Sequence, residues 1–155
     1  NRHRRHGGFE YMAVVTERRL LHTYTDFTIE GMESGLYAFL AHPDLFLSSI
    51  RSIDDDCISC VDALIDAAND LGMPLEINGY GLIKSKVCRD YGDDYQYPVA
   101  AFWKRAVQKN ARIICNADAH QIEQVLAGVQ NGIEYAEDLG LPILDAAEAL
   151  GFTHK

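Results

Sequence analysis

The stretch ARIICNADAH, residues 111–120, joins a short apolar run to a set of polar side chains. Arg112–Cys115 has the length and apolar character of a buried strand. If the chain stays extended beyond it, Asp118 and His120 point to the same side, because alternate residues of a strand share a face. A carboxylate and an imidazole together suit zinc, manganese or iron. The alternative interpretation is an Asp that caps a helix, followed by a surface His.

The same pattern, an apolar run that ends in polar residues, occurs twice earlier. The three predicted strands and the residues that end them are Leu36–Ala41 with His42-Pro43-Asp44, Pro74–Ile77 with Asn78-Gly79, and Arg112–Cys115 with Asp118 and His120. Helical patterns over 54–72 and 98–109 separate them. Alternating strands and helices favour an α/β fold of parallel strands with helical crossovers. Chemistry in such sheets gathers beyond the carboxyl ends of the strands, which makes these polar residues the candidate site.

Six further segments are predicted in the rest of the chain. They are helices over 27–34, 122–139 and 143–150, a strand over Tyr11–Thr16, a basic arm over Asn1–Gly8, and a tyrosine-rich loop over Lys84–Tyr97.

The composition indicates one compact domain over residues 1–155 and excludes some functions. The chain is 48% hydrophobic, with a net charge of −9. An acidic protein is unsuited to non-specific nucleic-acid binding, which needs a basic face. No apolar run is long enough for a membrane span and none is typical of a signal peptide, so we expect a cytoplasmic protein. Its four cysteines are expected to be reduced, with Cys57 and Cys60 buried on one helix face.

Four blocks read together resemble the histidinol-phosphatases of the PHP family. They are Leu40–Phe46, Leu75–Leu82, Tyr97-Pro98 at the start of a helix, and Asn116–His120. The resemblance covers residues 30–141 and fits the C-terminal portion of that family. It implies an α/β fold that is part of a distorted (β/α)7 TIM-like barrel, with parallel strands and helical crossovers.

The resemblance also implies a site and a reaction. His42, Asp118 and His120 match metal ligands for up to three divalent ions (Zn, Mn or Fe), and Asp118 and His120 are the catalytic candidates. Arg51 and Lys84 would contact the phosphate, and Asn78 would line the pocket. The implied function is hydrolysis of a small phosphorylated substrate, L-histidinol phosphate, to histidinol and phosphate. A metal-bound water would attack phosphorus.

The chain departs from the family in its upstream ligands. The family begins with a His-x-His motif, which is absent here, where the upstream histidines are His3, His6 and His22. We therefore expect a PHP-like domain that is incomplete at its N-terminus, with one weak metal site and little phosphatase activity in this 155-residue chain. A partial barrel has open strand edges, through which copies of the chain could associate as a homo-oligomer.

Several alternatives stay open at this point. The substrate could be another phosphomonoester or a phosphotyrosine. The chain could be a catalytically incomplete PHP-like module with an assembly or regulatory role, or a generic α/β domain that binds a small anion at its strand ends. Glu76 shares a strand face with Asn78, and we expect it to support the site and not to bind metal directly.

Overall fold

The computed structural model describes residues 18–152. The basic arm over 1–8, with His3 and His6, and the predicted strand Tyr11–Thr16 lie outside the described residues.

Within residues 18–152 the chain folds as a mixed α/β structure with six α-helices. In chain order the elements are α1 (Arg18–Glu33), a 3-10 turn (Leu45–Leu47), α2 (Asp55–Asp70), β1 (Leu75–Asn78), α3 (Gly79–Leu82), β2 (Val87–Arg89), β3 (Gly92–Asp94), α4 (Ala100–Gln108), β4 (Ile113–Asn116), α5 (Gln124–Asp138) and α6 (Ala146–Ala149). None of the described helices combines the length and the apolar character that crossing a membrane requires.

The central sheet is parallel, as the sequence predicts. β1 pairs with β4, with Leu75 opposite Ile113 and Asn78 opposite Asn116. Single bridges extend this pair on both sides, from Leu40 to Leu75 and from Ile113 to Ile143. The described residues therefore form a short parallel sheet with helical crossovers, and they do not form a closed barrel.

The predicted strand over 36–41 is reduced to its last part. The N–H of Leu40 donates to the carbonyl of Pro74 (2.9 Å), and its carbonyl accepts from the N–H of Glu76 (3.0 Å). Residues 34–38 are exposed. A continuous strand needs a neighbour on at least one side for most of its length, and among the described residues only Leu40 has one. The short pairing is nonetheless enough to carry His42 to the sheet edge.

One face of the sheet supplies the core. Leu75, Ile77 and Ile113 are fully buried against the helices, where each contributes roughly 1.5–3 kcal/mol by burial. The buried face of α2 consists of Cys57, Cys60, Val61, Leu64, Ile65 and Ala68, which confirms the predicted burial of both cysteines. Because side chains alternate along a strand, Glu76 and Asn78 point to the opposite face.

Helix α5 packs directly on the carboxyl end of β1 through glycines. A Cβ at Gly79 would lie 2.1 Å from the carbonyl oxygen of Gly128, and one at Gly128 would lie 2.9 Å from the Cα of Ala117. Neither approach leaves room for a side chain. The close packing fixes α5 beside the segment that carries Asp118 and His120.

Two other segments differ from the predictions. Helix α1 begins by Arg18, well before the predicted start at Phe27. The predicted loop 84–97 contains the antiparallel hairpin of β2 and β3. The buried Arg89 guanidinium holds this hairpin by donating to the carbonyls of Leu47, Ile50 and Tyr95.

Candidate functional site

Three segments bring candidate residues to the carboxyl edge of the sheet. His42 follows the bridged Leu40, Asn78 ends β1, and Asp118 lies just beyond β4. The parallel register aligns these ends, since Asn78 lies opposite Asn116. We call His42, Glu76, Asn78, Asn116 and Asp118 the strand-end cluster.

The Glu76 carboxylate lies at the centre of the strand-end cluster. Its side chain is buried, with 2% of its surface exposed. Oε2 accepts from the backbone N–H of His42 (2.9 Å) and from Nδ2 of Asn78 (3.2 Å), and Oε1 accepts from Nδ2 of Asn116 (2.8 Å). All three donors are uncharged amides. The carboxylate therefore joins three neighbouring segments through hydrogen bonds alone.

Asn78 connects this carboxylate to Asp118. Its Nδ2 donates to Oδ2 of Asp118 (3.1 Å) as well as to Glu76. Its Oδ1 accepts from the N–H of Gly81 (3.3 Å), so the same side chain caps α3. Every polar atom of the Asn78 amide thus has a partner, which fixes which way the amide points.

Two residues of the strand-end cluster have left-handed backbone conformations. His42 has φ +31° and Asp118 has φ +47°. Side chains other than glycine rarely adopt this region, and a residue before proline, as His42 is, is restricted further. Such conformations persist only where the surroundings hold them.

His120 is exposed, and its ring orientation is set locally. Nδ1 lies 2.8 Å from the carbonyl oxygen of Asp118, so this nitrogen carries the proton and the Nε2 lone pair is directed elsewhere. The backbone N–H of His120 donates to Oε1 of Gln124 (2.8 Å). The imidazole stacks on Tyr80, with ring centroids 4.2 Å apart.

Lys84 lies between two tyrosine rings, one of which also stacks on His120. Its Nζ is 4.8 Å from the Tyr80 centroid and 4.7 Å from that of Tyr97, and no ion pair is recorded for it within residues 18–152. The Tyr97 ring in turn lies 6.1 Å from that of His42. Burial, and after it the negative charge of Asp118, raises the pKa of Tyr97 to about 12. We call His120, Tyr80, Lys84 and Tyr97 the aromatic row.

The predicted metal ligands meet only in part the requirements of a metal site. His42, Asp118 and His120 come to the same edge of the sheet, and the Nε2 lone pair of His120 is oriented as in many metal-binding histidines. Across residues 18–152, however, no group of three or more His, Cys, Asp or Glu side chains is arranged to hold a metal ion. The described residues alone therefore do not fit a metal centre.

Arg51 and Asp44 lie apart from the strand-end cluster. The carbonyl of Arg51 accepts from the N–H of Asp90 at the hairpin, and its side chain is exposed beside Val87 and Cys88. Asp44 is buried and accepts from the N–H of Val99 and from Nε1 of Trp103 (3.0 Å), at the start of α4. Burial raises the pKa of this carboxyl to about 7. Asp44 therefore caps a helix in the core, although it follows His42 closely in sequence.

The sequence did not mark Asn116 or Tyr80 as site residues, and it left open whether the tyrosine-rich loop that ends at Tyr97 faces the substrate or is a plain surface loop. Asn116 ends β4 as Asn78 ends β1, and this repeat was the available signal. The two tyrosines flank Lys84 at separations of four and thirteen residues, and only the fold brings them together.

An apolar groove adjoins the strand-end cluster at His42. Its volume is about 470 Å³, and it runs between α1 and residues 37–42. It is lined by Tyr24, Phe27, Thr28, Gly31, Tyr37, Phe39, Leu40, Ala41 and His42.

No protein-family model, no curated protein and no solved structure matches this chain.

Proposed function

We propose that this protein is a divalent-metal-dependent phosphomonoesterase with L-histidinol phosphate as its substrate, and that its sheet is the C-terminal portion of a distorted (β/α)7 barrel. One observation carries the proposal. The parallel pairing of β1 and β4 places His42, Asn78 and Asp118 at a single sheet edge. That edge is where α/β enzymes of the barrel type hold their reacting groups.

The aromatic row supports a phosphate end of this site. The Lys84 ammonium has aromatic rings and no recorded carboxylate as neighbours within the described residues, so its charge is available to an anion. His120 stacks on the same Tyr80 ring, and its unprotonated Nε2 is the nitrogen that this proposal assigns to a metal ion. In this proposal Lys84 binds the phosphoryl oxygens. The predicted contact of Arg51 with phosphate stays a prediction, since its exposed side chain lies at the hairpin beside Val87 and Cys88.

Divalent ions, when bound, would neutralise phosphoryl charge and lower the pKa of a bound water. His42, Asp118 and His120 are the ligands that this chain would contribute. Since the described residues do not form a three-ligand group, the proposal requires further ligands from outside residues 18–152. The role of the described residues is to orient Asp118 through Asn78 and to place a cation beside the sheet edge.

The test combines metal binding with hydrolysis. We would titrate the full chain with Mn²⁺ by electron paramagnetic resonance, and assay L-histidinol phosphate and p-nitrophenyl phosphate with Mn²⁺ or Zn²⁺ present. We expect Mn²⁺ binding that weakens at least ~10-fold in Asp118→Ala and His120→Ala. Hydrolysis by this chain is expected to be slow.

His22→Ala is the matched control, because His22 contacts Cys60 (3.6 Å) away from the sheet edge. Equal Mn²⁺ affinity in the site variants and in this control would contradict the metal-dependent proposal. Rapid turnover by the 155-residue chain would contradict only the expected low activity.

A second candidate is an α/β domain that binds a phosphorylated anion without hydrolysing it. The observation that favours it is the free charge of Lys84 beside a sheet edge at which the described residues form no three-ligand group. In that case inorganic phosphate would bind equally well with and without a chelator. Lys84→Met would abolish this binding, and no metal would restore turnover.

A further inference from the structure

We infer that Glu76, acting with Asn78, is a positioning residue that holds His42 and Asp118 in their left-handed conformations. The inference rests on the proposed function for its consequence, because the two residues so held are the ones assigned to the metal site. It extends that function by naming the group on which the site's geometry depends.

His42 and Asp118, the two left-handed residues with candidate site roles, are both hydrogen-bonded to the Glu76–Asn78 pair. His42 donates its backbone N–H to Glu76 (2.9 Å), and Asp118 accepts from the Asn78 amide (3.1 Å). Asn110, the third described residue other than glycine with positive φ, follows α4 at the position where helices often end in this conformation. Neither His42 nor Asp118 follows a helix in this way.

Glu76 and Asn78 are both buried, each with 2% of its surface exposed. Water therefore cannot replace the contacts that either side chain makes. A buried acceptor that binds the N–H of His42 favours whichever backbone conformation points that N–H inward. Release of the N–H would let His42 return to the extended region that Pro43 prefers.

Glu76 accepts from three donors, the N–H of His42 and the amide of Asn78 at Oε2 and the amide of Asn116 at Oε1. A glutamine could keep its one oxygen at the Oε2 position and lose only the bond from Asn116. A methionine has a similar length and no oxygen acceptor, so Glu76→Met removes all three bonds.

The experiment measures the backbone directly. We would assign the full chain by NMR and determine φ at His42 and Asp118 from scalar couplings and carbon shifts, in the natural protein and in Glu76→Met. Loss of positive φ at either residue is expected. The control is Asn116→Ala, which removes a donor from Oε1 and leaves both bonds at Oε2, and there both φ values should persist. Positive φ at both residues in a folded Glu76→Met would overturn the inference.

A second measurement connects the pair to function. Mn²⁺ affinity should fall ~10-fold or more in Glu76→Met and less than ~3-fold in Asn116→Ala, as is usual for residues that support a metal ligand. Absence of Mn²⁺ binding by the natural chain would contradict the proposed function, and the φ measurements would still decide the inference. Should Glu76→Met not fold, Asn78→Ser replaces it, and there Asp118 alone should lose positive φ.

Discussion

At the scale of single residues, buried carboxylates with different surroundings serve different purposes. Glu76 receives three hydrogen bonds and joins neighbouring segments, whereas Asp44 lies in the core between Val99 and Trp103. Sequence alone placed both among polar residues near strand ends. Asp44 follows the proline after His42, and nothing in that spacing reveals that its side chain turns inward to the start of α4. The distinction depends on tertiary packing, which a single sequence does not encode locally.

The raised pKa of Asp44 gives the folded protein a stability profile that can be tested. Burial, its largest cause, raises this pKa from 3.8 to about 7. The folded state therefore binds the proton more tightly than the unfolded chain does, and this group's contribution to the free energy of unfolding falls as pH rises between those two values. Asp44→Asn should remove that slope. Urea unfolding at a series of pH values measures it.

Asp62 serves as a control, because its pKa is shifted in the opposite direction to that of Asp44. The hydrogen bond from Arg105 lowers its pKa, so its contribution is lost as pH falls through the acid range. In Asp62→Asn the free energy of unfolding should depend less on pH in the acid range. Its decrease as pH rises towards 7 should remain. An unchanged fall in Asp44→Asn would show that another group causes it.

At the scale of elements, the long periodic segments were predictable and the irregular ones were not. Helix α2 was expected from apolar spacing and an acidic first turn, and it forms over Asp55–Asp70 with Asp54 as its cap. The strand predicted over 36–41 does not form for most of its length, because pairing depends on a neighbour and only Leu40 has one within residues 18–152. The hairpin of β2 and β3 was missed because its strands are short and polar, without the alternation that marks a half-buried strand.

The contact between α3 and α5 predicts the effect of one methyl group. A Cβ at Gly79 would lie 2.1 Å from the Gly128 carbonyl oxygen, a backbone atom that cannot move without shifting α5. Gly79→Ala should lower the free energy of unfolding by ~1–3 kcal/mol or more. It should also weaken phosphate binding, since α5 supports the His120 segment.

The matched control for this change is Gly31→Ala in α1. Its Cβ would meet the ring of Tyr37 at 3.1 Å, and that side chain is largely exposed and can turn away. Alanine also favours a helix interior over glycine by ~0.5–1 kcal/mol. Chemical denaturation compares the two variants. Equal destabilisation would mean that the close approach at Gly79 is not what limits this position.

At the scale of the whole molecule, the described sheet has an open side. Leu40 is bridged to Leu75, and no described strand pairs with its other edge. The apolar groove lies along that edge, where Phe27 is 67% exposed and Tyr37 56% exposed. Apolar surface beside an unpaired strand edge favours association with another chain.

We therefore expect copies of the chain to associate through the groove as concentration rises. Light scattering coupled to size-exclusion chromatography over a hundredfold range of concentration would show it. Phe27→Lys should shift the midpoint of association to at least ~10-fold higher protein concentration, because burying a charge in the interface costs more than ~1 kcal/mol of association free energy. Leu126→Lys is the control, since Leu126 is also exposed but lies on α5. A monomer throughout, or equal shifts in both variants, would contradict the expectation.

The left-handed conformations of His42 and Asp118 have a consequence for protein engineering. Glycine at either position would relieve ~1–2 kcal/mol of backbone strain, so a screen for thermal resistance should enrich glycine there. Each of these glycine variants would lose an imidazole or a carboxylate from the sheet edge. If a library is selected first for heat tolerance and then for ligand binding, the glycine variants at these two positions that pass the first selection should fail the second. The positions at which the two selections disagree would locate the site without any knowledge of its substrate.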